Sequence, residues 1–310
     1  MRAFDANSTS AVADFVAPEA IAALRGHPGF GAAMRVSAAG LVSMYQGGHL
    51  LNWLMDDRGR LLFGYLALYL HATRDPADAS SGLTPTRMKA MCVELDFCSP
   101  GRAGAMLSLM RFGGYLTPDV QVMDRRQRRL LATPKLYSLL RARWRLHMEA
   151  VAPLLPDGAA LLAAADNPAF DNALVIAMSA RFRAGFRFVH AAPGLGLFGE
   201  RNAGMLILLS LITAGAEDDT MPPQRPVPIS IAALARRFSV SRPHVLKLIR
   251  DAADEGLLER IDADSGRVVF KPQLAEATQN LFATMYLFVT DCAREAMAAC
   301  AGESRATGQP

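Results

Sequence analysis

The chain has 310 residues, 51% of them hydrophobic and 20% charged, so it can bury the cores of two ordinary domains and is not a disordered polymer. Lys and Arg number 33 against 29 Asp and Glu, and the resulting charge of +4 permits an anionic partner without requiring one. Cys92, Cys98, Cys292 and Cys300 form no CxxC pair and the histidines show no ligand spacing with them, which argues against a disulfide framework and a metal site and for a reduced, cytoplasmic protein.

In chain order, residues 1–18 read as a flexible tail without the charged-then-apolar pattern of a secretory signal. Leu61 to Leu70 (LLFGYLALYL) predicts a buried helix, and Thr73 to Gly82 a polar loop. Residues 83–112 then predict two helices joined by a tight turn, the second helix running from Ser99 to Phe112. Its outward polar groups are Ser99, Arg102, Ser108 and Arg111, and Phe97 takes the turn position where glycine is usual. A hairpin over about 116–134 and a helix from Leu136 to Leu155 follow. From Arg125 to Arg145 there are eight cations (Arg125, Arg126, Arg128, Arg129, Lys135, Arg141, Arg143, Arg145) and no acid, a density that attracts phosphate without sequence preference.

After a break at Pro156-Asp157-Gly158 the plan recurs at an offset of about 140 residues. HPGF at His27–Phe30 is echoed by NPAF at Asn167–Phe170, Gly114-Tyr115-Leu116 by Gly256-Leu257-Leu258, and Pro134 by Pro272. The period is too long for a solenoid and fits a duplicated domain: a first repeat over 19–155, a second over 156–300, and a loose tail over 301–310.

The apolar run Gly204 to Ala216 is shorter than the roughly 20 residues a membrane span needs, so it predicts a buried helix and no membrane partner. In the second head, over 229–255, Ser230 caps a helix to Phe238, Ser239-Val240 turns, and Ser241 caps the next helix. Leu234, Ala235, Val240, Val245 and Leu248 fall where two crossing helices touch. Arg242, His244, Lys247 and Arg250 are left for the outer faces, with Arg242 and His244 in the first turn, where base edges are met. Arginine there pairs bidentately with guanine. A wing over 257–272 turns at Asp264-Ser265-Gly266, placing Arg267 near its tip, and a helix from Gln273 to Cys300 closes the repeat.

The stretch ISIAALARRFSVSRPHVLKLIRDAADEGLLER with DADSGRVVFKP resembles the MarR family of bacterial transcriptional regulators over about 70 residues. The resemblance implies a winged helix-turn-helix binding double-stranded DNA, in proteins that dimerise through terminal helices and present one head to each half-site, roughly 10 base pairs apart. With both sets of helices present twice, the expected fold is mainly α, a tandem winged helix-turn-helix with small β-hairpin wings. It forms a single-chain pseudo-dimer whose helical core uses segments 20–55 and 136–202 and the C-terminal helix; a homodimer using only the second heads is the rival. The expected DNA-binding residues are Ser241, Arg242, His244, Lys247 and Arg267 in the second head, and Ser99, Arg102, Arg111, Arg125, Arg126, Arg128 and Arg129 in the first. One half of an asymmetric site would be read by bases and the other held by its backbone, in a nucleoid-associated protein with no catalytic role and no cofactor. The alternative is a protein-docking winged helix with non-specific DNA affinity.

Other motifs carry less. Gly194, Gly196 and Gly199 spell GxGxxG, with Asp218 beyond, but no βαβ unit surrounds them. Arg183, Arg187 and His190 recur at helical spacing, as an anionic-effector pocket or, more plainly, the wet face of an amphipathic helix. Cys92 and Cys98 near the first turn are expected to be structural thiols.

Overall fold

The computed structural model describes residues 15–45, 60–78, 80–120, 129–261 and 266–306. The first half holds α1 (Pro18–Arg25), α2 (Phe30–Met44), α3 (Arg60–Ala72), α4 (Pro85–Glu94) and α5 (Pro100–Phe112). Strands β1 (Leu116–Pro118) and β2 (Leu130–Ala132) precede α6 (Pro134–Val151). The second half continues with α7 (Gly158–Ala164), α8 (Phe170–Arg183), α9 (Phe188–Ala191), α10 (Gly196–Glu200) and α11 (Gly204–Ile212). There follow β3 (Val227–Pro228), α12 (Ile231–Phe238), α13 (Arg242–Asp254), β4 (Leu258–Arg260), β5 (Arg267–Phe270) and the long α14 (Pro272–Ala306). The protein is mainly helical with two small antiparallel sheets, β1-β2 and β3-β5-β4. Among the described residues no single helix is long and apolar enough to cross a membrane.

The chain packs as two compact units that interleave the halves of the sequence. The first takes α1 and α2, Leu146–Ala159 and Phe186–Phe288; the second takes α3 through Arg145, then Ala160–Gly185, and the last helix from Val289 on. In the first unit α2 packs on α11, and in the second α8 packs on α3. The buried helix ahead of each head therefore packs on the N-terminal helix of the other sequence repeat, and the packing does not divide the chain at residue 155. A sequence period registers which segments are alike; it carries no information on which copy of a helix a given apolar face meets.

Turns at corresponding positions carry like hydrogen bonds. The His27 ring nitrogen Nδ1 accepts from the Gly29 amide at 3.0 Å, and the Asn167 carbonyl oxygen Oδ1 accepts from the Ala169 amide at 2.9 Å. Each turn starts a helix on a buried phenylalanine, Phe30 and Phe170. Gly114 (φ 73°) and Gly256 (φ 70°) end α5 and α13 in the left-handed region, and the next amides, of Tyr115 and Leu257, each reach back 2.8 Å to the carbonyls of Met110 and Ala252. The Tyr115 and Leu257 carbonyls then accept from Thr133 and Lys271, just ahead of Pro134 and Pro272 at the starts of α6 and α14.

Burial follows composition. On α11, Leu206, Ile207, Leu208, Leu209, Leu211 and Ile212 are all buried, and α2 brings Met34, Ala38, Leu41 and Val42. Each large side chain removed from water contributes roughly 1.5–3 kcal/mol. In the second unit Trp144 lies 5.7 Å from Phe170 and Tyr65 lies 6.4 Å from Phe182, ring centre to ring centre. The first unit also buries a polar cluster, in which the Tyr286 hydroxyl donates to Ser37 Oγ at 2.8 Å and His147 Nδ1 lies 3.2 Å from the same oxygen.

Candidate nucleic-acid interface

The pair α12–α13 is built by local chemistry. Ser230 Oγ accepts from the Ala233 amide at 3.3 Å, and Ser241 Oγ from the His244 amide at 3.2 Å, each saturating an otherwise orphaned donor at a helix start. Between them Ser239 turns the chain at φ 56°, and the Val240 amide reaches the Ala235 carbonyl at 3.1 Å. Leu234, Ala235, Phe238, Val245, Leu248 and Ile249 are buried. Arg242, Lys247 and Arg250 are consequently left exposed on α13, as are Arg260 on β4 and Arg267 on β5. Among the described residues no ion-pair partner meets Arg242, Arg250, Arg260 or Arg267. Residues 262–265, including the expected wing turn, lie outside the described residues; Gly266 takes φ 58° and leads into β5.

Two expected reading groups are already engaged. The His244 ring donates from Nε2 to the Asn202 carbonyl at 2.8 Å, so His244 does not present that donor to a base. Lys247 Nζ lies 3.0 Å from Asp251 Oδ1, and Asp251 Oδ2 accepts from Arg201 at 2.7 Å. These contacts hold the Asp251 carboxyl below the usual carboxylate range, the Lys247 hydrogen bond first. Ser241 is spent on its cap. Arg201, Asn202 and Asp251 were missed from sequence: the i,i+4 spacing of Lys247 and Asp251 was a readable signal, but nothing local points to Arg201.

The pair α4–α5 repeats the construction in the second unit with a connection two residues longer. Thr84 and Ser99 cap α4 and α5, accepting from the amides of Arg87 (3.2 Å) and Arg102 (3.3 Å). The left-handed residue is Asp96 (φ 48°), not Phe97 as the sequence spacing predicts; the Phe97 amide bonds to the Cys92 carbonyl at 2.8 Å and its ring stacks on Phe63. Aspartate tolerates that conformation better than an aromatic does. Gly101, Arg102, Ala105, Ser108, Arg111 and Phe112 are exposed along α5. Phe112, at 85% exposure, flanks a groove of about 600 Å³ that Arg111, Ser108 and Thr117 also line.

Three cations of the basic stretch, Arg129, Arg141 and Arg145, are paired with acids outside it, which corrects the expectation of an uncompensated run at those positions. Arg129 is buried, with its side chain 7% exposed and its Nε 2.7 Å from Asp119 Oδ2, itself 5% exposed. Its Nη1 donates to the carbonyls of Asp75 (3.3 Å) and Asp78 (3.2 Å), so Arg129 ties a loop to the hairpin and presents no charge to DNA. Arg141 pairs with Asp171, and Arg145 with Asp166 at 2.8 Å. Lys135 lies over the Tyr115 ring and donates to the Gly113 carbonyl at 2.8 Å. Arg125, Arg126 and Arg128 lie outside the described residues.

His71 sits beneath this hairpin, with Nδ1 accepting from the Ala132 amide at 3.2 Å and Nε2 3.1 Å from Arg74 Nη1. Burial first, then the Arg74 guanidinium, pushes its pKa down to about 4. The unfolded imidazole titrates near 6.5, so the unfolded state binds more protons between these values and stability rises with pH there. This contribution is full above about 6.5 and is lost as pH falls towards 4. Thermal unfolding of wild type and His71→Gln between pH 7 and pH 5 should therefore show the larger acid loss in wild type; identical pH slopes would refute the assignment.

The helical stripe expected over Arg183, Arg187 and His190 is not formed, because Gly185 (φ 103°) separates α8 from α9. Arg183 belongs to the second unit, where it bonds to the Tyr69 hydroxyl at 2.9 Å, whereas Arg187 and His190 belong to the first. Gly194, Gly196 and Gly199 fall in short helical turns with no strand leading into them. Among the described residues no group of three His, Cys, Asp or Glu is placed to hold a metal ion. The chain matches no protein family, no curated protein and no solved structure.

Proposed function

We propose that the chain is a double-stranded DNA-binding transcriptional regulator of winged helix-turn-helix type, resembling the MarR family and without catalytic activity, acting as a tandem pseudo-dimer. The observation that carries this reading is the exposed Arg242, without an ion-pair partner among the described residues, in the first turn of a serine-capped α13, with Arg250, Arg260 and Arg267 exposed in the same unit. A helix start so furnished fits the major groove, with strand cations for phosphates. The two heads differ: α13 carries Arg242, Lys247 and Arg250 outward, whereas α5 offers Arg102 and Arg111 among small and apolar groups. That difference supports an asymmetric site, read mainly by the second head.

Selection of binding sequences from a random duplex pool, with the mass of the complex recorded, tests this. An asymmetric sequence bound by one chain is expected. A palindrome bound by two chains would sink the pseudo-dimer, and no enrichment would sink the DNA reading. A second reading, protein docking, is favoured more at the first head, where Phe112 (85% exposed) and Val93 (54%) face solvent, than at the second, where Ile261 (41%) does.

A further inference from the structure

Arg201, Asp251 and Lys247 form a three-membered charge chain in which one carboxylate serves two cations. His244, Lys247 and Asp251 are spaced i, i+3 and i+7, so they share one face of α13. The turn at 201–202 lies along that face, bonded to it at both ends: the Asn202 carbonyl at His244 and the Arg201 guanidinium at Asp251. Arg201 is thus held beside the face that Lys247 occupies, 33% exposed, while Lys247 is 65% exposed. A carboxylate and a phosphate offer these donors the same kind of acceptor, and both prefer charged, bidentate partners. An exposed lysine–carboxylate pair is weak and screened, so exchanging it for a phosphate is cheap.

We propose that Asp251 is an internal competitor for the DNA phosphate: it holds Lys247 and Arg201 in the unbound protein and yields both to the nucleic-acid backbone, making Arg201 a DNA-contacting residue and Asp251 a brake on affinity. The inference rests on the DNA reading of α13. The carboxylate lowers affinity for every duplex by a similar factor, because each must displace it, so the ratio between duplexes stays with base contacts such as those of Arg242.

The test measures binding of wild type, Asp251→Asn, Arg201→Met and Arg201→Lys to a selected duplex and to a random one, across a salt series. D251N should bind both duplexes about three- to tenfold more tightly at low salt and leave the specificity ratio unchanged. R201M should weaken both duplexes alike and reduce the slope of log affinity against log salt by about one, and R201K should restore that slope. Thermal unfolding of each variant checks that the fold persists, and the R201M arm stands independently of D251N. The proposal is overturned if D251N weakens binding or leaves it unchanged, or if R201M leaves the salt slope intact while wild type binds DNA. Failure of wild type to bind any duplex would instead overturn the DNA reading, and this inference with it.

Discussion

Replacing Arg129 by methionine is expected to destabilise the second unit by about 3–5 kcal/mol, because it removes the cation from a buried ion pair. The Asp119 side chain is 5% exposed and its Oδ2 sits 2.7 Å from Arg129 Nε, so the carboxylate loses a cation that water cannot readily replace. The carbonyls of Asp75 and Asp78 lose their donor in the same step. Arg129→Lys is the sharper comparison. It keeps the charge, so a phosphate-contact role predicts near-normal folding and DNA binding. The buried fork predicts serious loss, because an ammonium cannot reproduce the planar donor geometry that meets a carboxylate and two carbonyls together. Denaturant unfolding measures both, and removing both charges in Arg129→Met with Asp119→Leu should recover most of the stability. A cost below about 1 kcal/mol for R129M alone would contradict the buried-pair account.

Arg242→Ala combined with Lys247→Ala is expected to eliminate sequence-specific DNA binding while leaving the protein folded. Both side chains are exposed, and the α13 cap is made by Ser241, which is untouched. An arginine paired with a guanine edge is worth about 1–3 kcal/mol of discrimination, and a phosphate-bound lysine about one unit of salt slope. The single variants should therefore separate: R242A relaxes preference at one position of the site, whereas K247A weakens all duplexes about equally. Competition between the selected duplex and a scrambled one reads the difference. Unchanged affinity and unchanged selectivity in the double variant would remove α13 from the interface.

What the sequence determined by itself is whatever neighbours along the chain decide. Ser230 and Ser241 sit three residues before the amides they satisfy, Gly114 and Gly256 end helices where a left-handed residue is required, and Leu234, Val245 and Leu248 recur with the helical period. These are short-range effects, so the helix pairs, the strands after them and the exposed position of Arg242 could be read from spacing. Even here the longer connection in the first pair places the left-handed residue at Asp96 and not at Phe97.

The tertiary structure alone decided which charges are free. Arg129 looked like part of a bare cationic run because Asp119 lies beyond a ten-residue hairpin, and Arg141 and Arg145 because Asp171 and Asp166 are 30 and 21 residues away. Arg201 is 50 residues from Asp251, and the Asn202 carbonyl is 42 residues from His244. Pairing of α2 with α11 and of α8 with α3 likewise depends on which apolar face is within reach once the chain has collapsed. Electrostatic and packing energies fall off with distance in space and are indifferent to distance in sequence, so the charge of a segment is set by what folds against it.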